Sequence, residues 1–211
     1  AYIVHGLYDH LGLYDSLIKY CLNRGWRVVA FDLPGHGLSS GKRSGVGSFQ
    51  QYDQVFTRIL TNICLHFPGP IHVFGQSTGG AIIINYLLKY DVNKVNSPFK
   101  SINLIAPLVR PKSWLIIKLL LPIIRLFKKQ LKRGVSINSH KKAFLEFVQK
   151  KDPLQTKYLP LSWIDSLLEW NDFIEHKKPV DVDINIVQGT ADHSVLWKYN
   201  LKFLQKKIPN N

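Results

Sequence analysis

The stretch Ile71-His72-Val73-Phe74-Gly75-Gln76-Ser77-Thr78-Gly79-Gly80 decides the fold. Its first four residues are β-branched or aromatic and read as a short buried strand. The nearly continuous apolar run from Gly80 to Tyr90 reads as a helix. Between them stands Gly75-Gln76-Ser77-Thr78-Gly79, a G-x-S-x-G pentapeptide. Strand, G-x-S-x-G, helix is the context in which this pentapeptide becomes a nucleophile elbow. The turn is tight enough to force strained angles on Ser77, and the glycines keep neighbouring side chains clear. Gly and Ser are common, so the bare pattern also arises by chance; the flanking strand and helix give it meaning.

Working outward, strand and helix patterns alternate, which argues for an α/β fold around a mostly parallel sheet. Ala1 to His5 reads as the end of a strand, and Leu13, Tyr14, Leu17, Ile18, Cys21 and Leu22 recur at helical spacing with Gly25 as a stop. Trp26 to Leu33 is a second strand. Ser48 and Gln51 form a capping box, and Tyr52, Val55, Phe56, Ile59, Leu60, Ile63 and Phe67 follow on one helical face. Ser101 to Leu108 and Asp183 to Val187 read as strands, and Trp197 to Lys207 as the last helix. The span from 109 to 168 breaks the alternation. It reads as several helices separated by Pro111, Pro122, Gly134, Pro153 and Pro160, inserted as a cap between core segments 1–108 and 169–211.

The 211 residues suffice for one domain with a substantial core, and 45% hydrophobic with 20% charged residues is ordinary for a globular chain. Cys21 and Cys64 fall on apolar faces of two helices and read as core residues, not as a disulfide. The chain has no methionine and opens inside a strand, so we expect residues upstream of Ala1, and a cytoplasmic location is only a default. The net charge of +14 is uneven: Val92 to Leu145 holds 12 Lys or Arg and no acid, leaving the remainder at +2.

A serine hydroxyl needs a histidine base, itself oriented by a carboxylate. In the order Ser, acid, His, each partner lies on a loop after a strand. Asp192 follows the strand-like Ile184-Asn185-Ile186-Val187 and is the acid candidate, although Gly189-Thr190-Ala191-Asp192 would also suit a plain turn. Asp181 and Asp183 precede that strand and belong to the other end of the sheet. Only His193 follows Asp192, and an adjacent residue would have to fold back sharply to bridge it to Ser77. The template places the base about thirty residues beyond the acid, so we expect it past Asn211 and expect this stretch alone to be a poor hydrolase. Two backbone N–H groups should hold the oxyanion: Thr78, after the nucleophile, and Leu7, in the loop after the first strand. His5 reads as a brace for that loop.

These residues resemble a family. His5-Gly6 with His10, then Phe31-Asp32-Leu33-Pro34-Gly35-His36-Gly37-Leu38-Ser39, then the serine elbow, then Gly189-Thr190-Ala191-Asp192, in this order, resemble the α/β-hydrolase superfamily. Within it the chain is similar to serine lipases of the monoacylglycerol lipase and lysophospholipase group. Gln76 stands where that group often has His. The resemblance implies an α/β-hydrolase fold with a helical cap, no cofactor or metal, and an acyl-ester lipid as substrate.

Trp114 to Phe127 is strongly apolar and Lys128, Lys129, Lys132 and Arg133 follow it. The stretch is too short and interrupted to span a bilayer. It can pack on the core as a cap helix, lie on an anionic membrane surface, or do both. Its aliphatic character and lack of interleaved aromatics argue against nucleic acid. Two other readings stay open: an esterase, thioesterase or acyltransferase for short acyl groups, and a non-catalytic hydrolase-like domain that binds lipid or a partner.

Overall fold

The computed structural model describes residues 1–134 and 139–209. Positions 135–138 and 210–211, which fall in the expected cap and core spans, lie outside the described residues. A parallel sheet of five strands runs in the order β2-β1-β3-β4-β7. Its members are β1 (Tyr2–Val4), β2 (Val29–Ala30), β3 (Ile71–Gln76), β4 (Phe99–Ile105) and β7 (Asn185–Val187). This is the α/β-hydrolase fold expected from the sequence.

Strand β3 pairs with β1 on one side (Tyr2↔Val73, Val4↔Gly75) and with β4 on the other (Val73↔Ile102, Gln76↔Ile105). The second expected strand shrinks to two residues. It is an edge strand held by the three-residue β1, so only Val29 and Ala30 find ladder partners.

Three helices cover the middle of the sheet: α2 (Phe49–His66), α3 (Thr78–Lys89) and α6 (Leu161–His176). Ten of the twelve residues of α3 are buried, and Ile82, Ile83 and Ile84 are all fully enclosed. A helix apolar all round can be stable only when sandwiched like this. Phe49 of α2 stacks on Trp170 of α6 at 4.5 Å, and Tyr2 stacks on Phe56 at 5.0 Å. Two smaller helices, α1 (Asp15–Asn23) and α7 (Trp197–Lys207), flank these elements.

The 109–168 segment departs from an all-helical reading. It contains α4 (Trp114–Phe127), a two-stranded antiparallel sheet of β5 (Gln130–Lys132) and β6 (Tyr158–Pro160), and a short helix α5 (Lys142–Glu146) running into a π turn. Pro122 does not separate helices but sits inside α4. It is exposed, so water can serve the carbonyl whose helical partner it removes. The expected boundary at residue 168 falls in the middle of α6, whose Leu161, Trp163, Ile164, Leu167, Trp170 and Ile174 join the same buried cluster as α2 and α3.

Two local expectations also change. Ser48 stands at the N-cap of α2 with extended backbone, but its side chain makes no capping bond, and Gln51 Oε1 takes the Gly47 N–H instead at 2.9 Å. Cys21 is buried, whereas Cys64 is exposed, because the buried stripe of α2 passes through Leu60 and Ile63 and leaves the next position outward.

That stripe also buries a charge. Asp53 accepts from Asn85 Nδ2 (2.9 Å), Lys89 Nζ (2.6 Å) and the Tyr90 hydroxyl (3.1 Å), tying α2 to α3. Removing it strands the buried Asn85 amide and the partly buried Lys89 ammonium, so Asp53→Ala should cost about 3 kcal/mol in urea unfolding. Asp15→Ala, which breaks only an exposed pair with Lys19, should cost under about 0.5 kcal/mol.

Candidate active site

Ser77 joins β3 to α3 with φ 50° and ψ −110°, a combination L-residues rarely adopt. Three backbone bonds fix it. Its N–H donates to Ile105 O at 2.9 Å, and its carbonyl accepts from Ala81 N at 3.0 Å and Leu108 N at 3.1 Å. The turn also requires that α3 press on β1: a Cβ on Gly79 would lie 2.1 Å from Val4 O, so only glycine fits there. Thr78 is the first residue of α3, and its N–H has no acceptor within the helix.

The loop after β1 approaches this turn through one side chain. The Tyr14 hydroxyl accepts from Gly6 N at 3.1 Å and lies 2.8 Å from Gln76 Oε1 and 3.0 Å from Asp9 Oδ2. Gly6 precedes Leu7, and Gln76 precedes Ser77. One hydroxyl therefore couples the two segments that carry Leu7 and Thr78. Burial raises the pKa of Asp9, and burial followed by the neighbouring Asp9 raises that of Tyr14. Tyr14 was legible in sequence only as an apolar helical position. The sequence signal was limited to its being a tyrosine, which needs a partner for its hydroxyl when buried.

His5 braces the same loop from below. Its Nδ1–H donates to Gly6 O at 2.7 Å, and its Nε2 accepts the Leu33 N–H at 2.8 Å. Burial lowers its pKa to about 4. A second ring proton would also have to face the Leu33 N–H. Next along, Asp32 receives Leu11 N at 2.8 Å and Leu38 N at 2.9 Å, which explains the Asp-x-Pro-Gly-His-Gly run. Gly37 takes φ 48°, and a Cβ there would lie 2.1 Å from that carboxylate.

Asp192 lies past β7, on the C-terminal edge where Ser77 emerges. Backbone bonds tie the two loops together: Leu108 N to Ser77 O, Leu196 N to Arg110 O, and Lys112 N to Ser194 O. The Asp192 carboxylate accepts from Ser194 N (2.7 Å), Ser194 Oγ (2.5 Å), Val195 N (3.3 Å) and Gln188 Nε2 (3.3 Å). Burial alone would raise its pKa, but these donors outweigh burial and hold it below the ordinary carboxylate value. Asp181 and Asp183 lie apart from it, where Lys94 bridges them ahead of β4.

Histidines are placed elsewhere. His193 is exposed with Nδ1 3.2 Å from Lys112 Nζ, His10 pairs with Asp152, and His72 stacks on Trp26 and meets Ser101 Oγ. Among the described residues no histidine hydrogen-bonds Ser77 or Asp192.

Comparison with known proteins gives the family. Residues 1–209 match the family model Hydrolase_4, described as serine aminopeptidase, S33. The chain belongs to this hydrolase family. It is 28% identical over 202 residues to monoglyceride lipase of Homo sapiens, covering 90% of this chain and 64% of that one. It is 31% identical over 136 residues to phospholipase YtpA of Bacillus subtilis, covering 54% and 52%. The chain thus spans between half and two thirds of these relatives. The crystal structure of Paleococcus ferrophilus monoacylglycerol lipase superposes with a TM-score of 0.78 at 22% identity, over 99% of this chain and 80% of that one. That likeness shows a shared fold.

Two outcomes test this geometry. Tyr14→Phe should cost about 1–3 kcal/mol in unfolding free energy, since it leaves the Gly6 N–H and Gln76 Oε1 unpaired. For His5, the folded pKa of about 4 lies below its ordinary 6.5, so the unfolded state binds more protons between them. Stability should therefore fall by about 3 kcal/mol as pH drops from 6.5 to 4, with His36, also lowered by burial, adding in the same sense. Urea midpoints at pH 7 and 4.5 measure this, and His5→Asn should flatten the profile.

Proposed function

We propose that the protein is a serine ester hydrolase acting on a monoacyl lipid, a monoacylglycerol or a lysophospholipid, through an acyl-enzyme. The observation that carries this is Ser77 itself. Its strained backbone sits at the head of α3, coupled through Gln76, Tyr14 and Gly6 to the loop bearing Leu7. In this reading Ser77 Oγ attacks the ester carbonyl. The Leu7 and Thr78 N–H groups hold the resulting oxyanion, each worth about 10²–10³ in rate. Asp192, kept ionised by its four donors, orients the histidine base that a serine nucleophile requires. That base takes the serine proton, gives it to the departing alcohol, and later activates the water that releases the acid.

The lipid reading is supported by α4, in which we see a roof for an acyl chain, with residues 109–168 as the cap over core segments 1–108 and 169–211. Its inner face, Trp114, Ile117, Leu121 and Ile124, packs on the core. Its outer face exposes Leu115, Ile116, Leu119, Ile123, Leu126 and Phe127, with Lys128 and Lys129 following. Among the described residues no helix is long and apolar enough to cross a membrane. An apolar face bordered by lysines suits an interface with anionic headgroups. The names of the human and Bacillus relatives point the same way.

In the whole protein, Ser77→Ala should lower esterase kcat at least roughly 10⁴-fold. With p-nitrophenyl esters, activity should rise toward long acyl chains. A maximum at two to four carbons would replace the lipid reading with a short-acyl esterase, and a fully active Ser77→Ala would remove the serine mechanism.

A further inference from the structure

The cations near β5 do not all face open solvent. A cavity of about 550 Å³ lies between β5, the π turn and the Asp152–Lys157 turn. Among the described residues its walls carry Lys132, Arg133, Lys150, Lys151 and Lys157 against a single carboxylate, Asp152. Asp152 is already engaged: His10 Nε2 lies 2.8 Å from its Oδ2, Gln155 Nε2 donates to the same oxygen at 3.0 Å, and Leu154 N donates to Oδ1 at 3.0 Å. Lys151 pairs with Glu146 at 3.2 Å. Among the described residues Lys132, Arg133, Lys150 and Lys157 have no ion-pair partner.

Arg133 is the informative member. Its guanidinium is partly buried, 4.2 Å from the centroid of the Tyr8 ring, and Nη1 donates to Gln155 Oε1. Burial pulls its pKa down, offset only in part by Tyr8, Asp9 and Asp152. A guanidinium offers five donors in a fork suited to phosphate, so one amide bond leaves most of them unused. Partly desolvated charge of one sign, gathered round a cavity, is stabilised by an anion that enters it.

The cavity borders the loop that follows β1. Tyr8, under Arg133, follows Leu7, and the His10–Asp152 bond joins the same loop to the cavity wall. The exposed apolar face of α4 ends at Phe127, three residues before β5 begins. The cavity is thus bordered by the loop that carries Leu7 and is reached along the chain from the apolar face of α4.

We propose that this cavity is a phosphate-binding subsite formed by Arg133 with Lys132, Lys150 and Lys157, and that it receives the phosphate of an acylated glycerol phosphate whose ester lies at Ser77. The lipid part rests on the hydrolase reading above; the anion site does not. Headgroup phosphate and free phosphate share this chemistry, so the test has two arms.

In the first, glycerol 3-phosphate and inorganic phosphate are titrated calorimetrically into the whole protein carrying Ser77→Ala. Binding should weaken at least about tenfold in Arg133→Gln, and likewise in Lys150→Gln/Lys157→Gln, whose exposed side chains can be changed without disturbing packing. No binding, or equal binding in all variants, overturns the site. In the second arm, kcat/KM is compared for a lysophosphatidate and the monoacylglycerol of the same chain. The ratio should favour the phosphate ester and fall at least about tenfold in both variants through KM. Weakened calorimetric binding with an unchanged ratio keeps the site and assigns it to free phosphate, overturning the headgroup role. Hydrolysis of neither lipid would overturn the Ser77 reading and leave the subsite to the calorimetry.

Discussion

The structure hangs on the contact of α3 with the sheet at Ser77. Strain of this kind costs on the order of 1–3 kcal/mol and persists only where surroundings over-determine it. Here the Ile105 carbonyl accepts the serine N–H, the Leu108 and Ala81 amides donate to its carbonyl, and Gly79 lets the helix sit directly on Val4 O. The buried Ile82, Ile83 and Ile84 then anchor the rest of α3. A residue held in this way presents its hydroxyl at the sheet edge without reorganisation, which is what a nucleophile requires.

Around that point the polar groups are arranged to fix loops more than to carry charge. Burial keeps His5 neutral while both its ring nitrogens tie backbone groups, Asp32 gathers two loop amides, and Tyr14 joins the Leu7 loop to Gln76. The 130–160 region is fastened to the same loops by His10–Asp152, by Ser44 with Thr156, and by Arg133 on Tyr8. The loops beside Ser77 and the walls of the cationic cavity are therefore mechanically coupled.

Legibility in sequence followed the range of the forces involved. The elbow was readable because its strain is met by neighbours in sequence, Gly75 and Gly79, between a strand and a helix. Strand β3 and helix α3 appeared nearly where expected, since periodicity and the turn agreed. The place of Asp192 at the Ser77 edge was legible because a parallel strand brings its C-terminal loop there. What failed depended on distant partners. The edge position of β2 shortened it, Gln130–Lys132 became a strand only by pairing with Tyr158–Pro160, and α4 ran through Pro122 because that position is solvated. Asp53 and Tyr14 were invisible as network centres, since the partners of Asp53 lie 32 to 37 residues away and Tyr14 bridges its own loop to Gln76, 62 residues away.

The central claim is that Ser77 is an activated nucleophile. The whole protein treated with a fluorophosphonate, digested and mapped by mass spectrometry, tests it directly. The account predicts a stoichiometric adduct on the peptide containing Ser77, lost on prior denaturation. No adduct, or one confined to another residue, would contradict it.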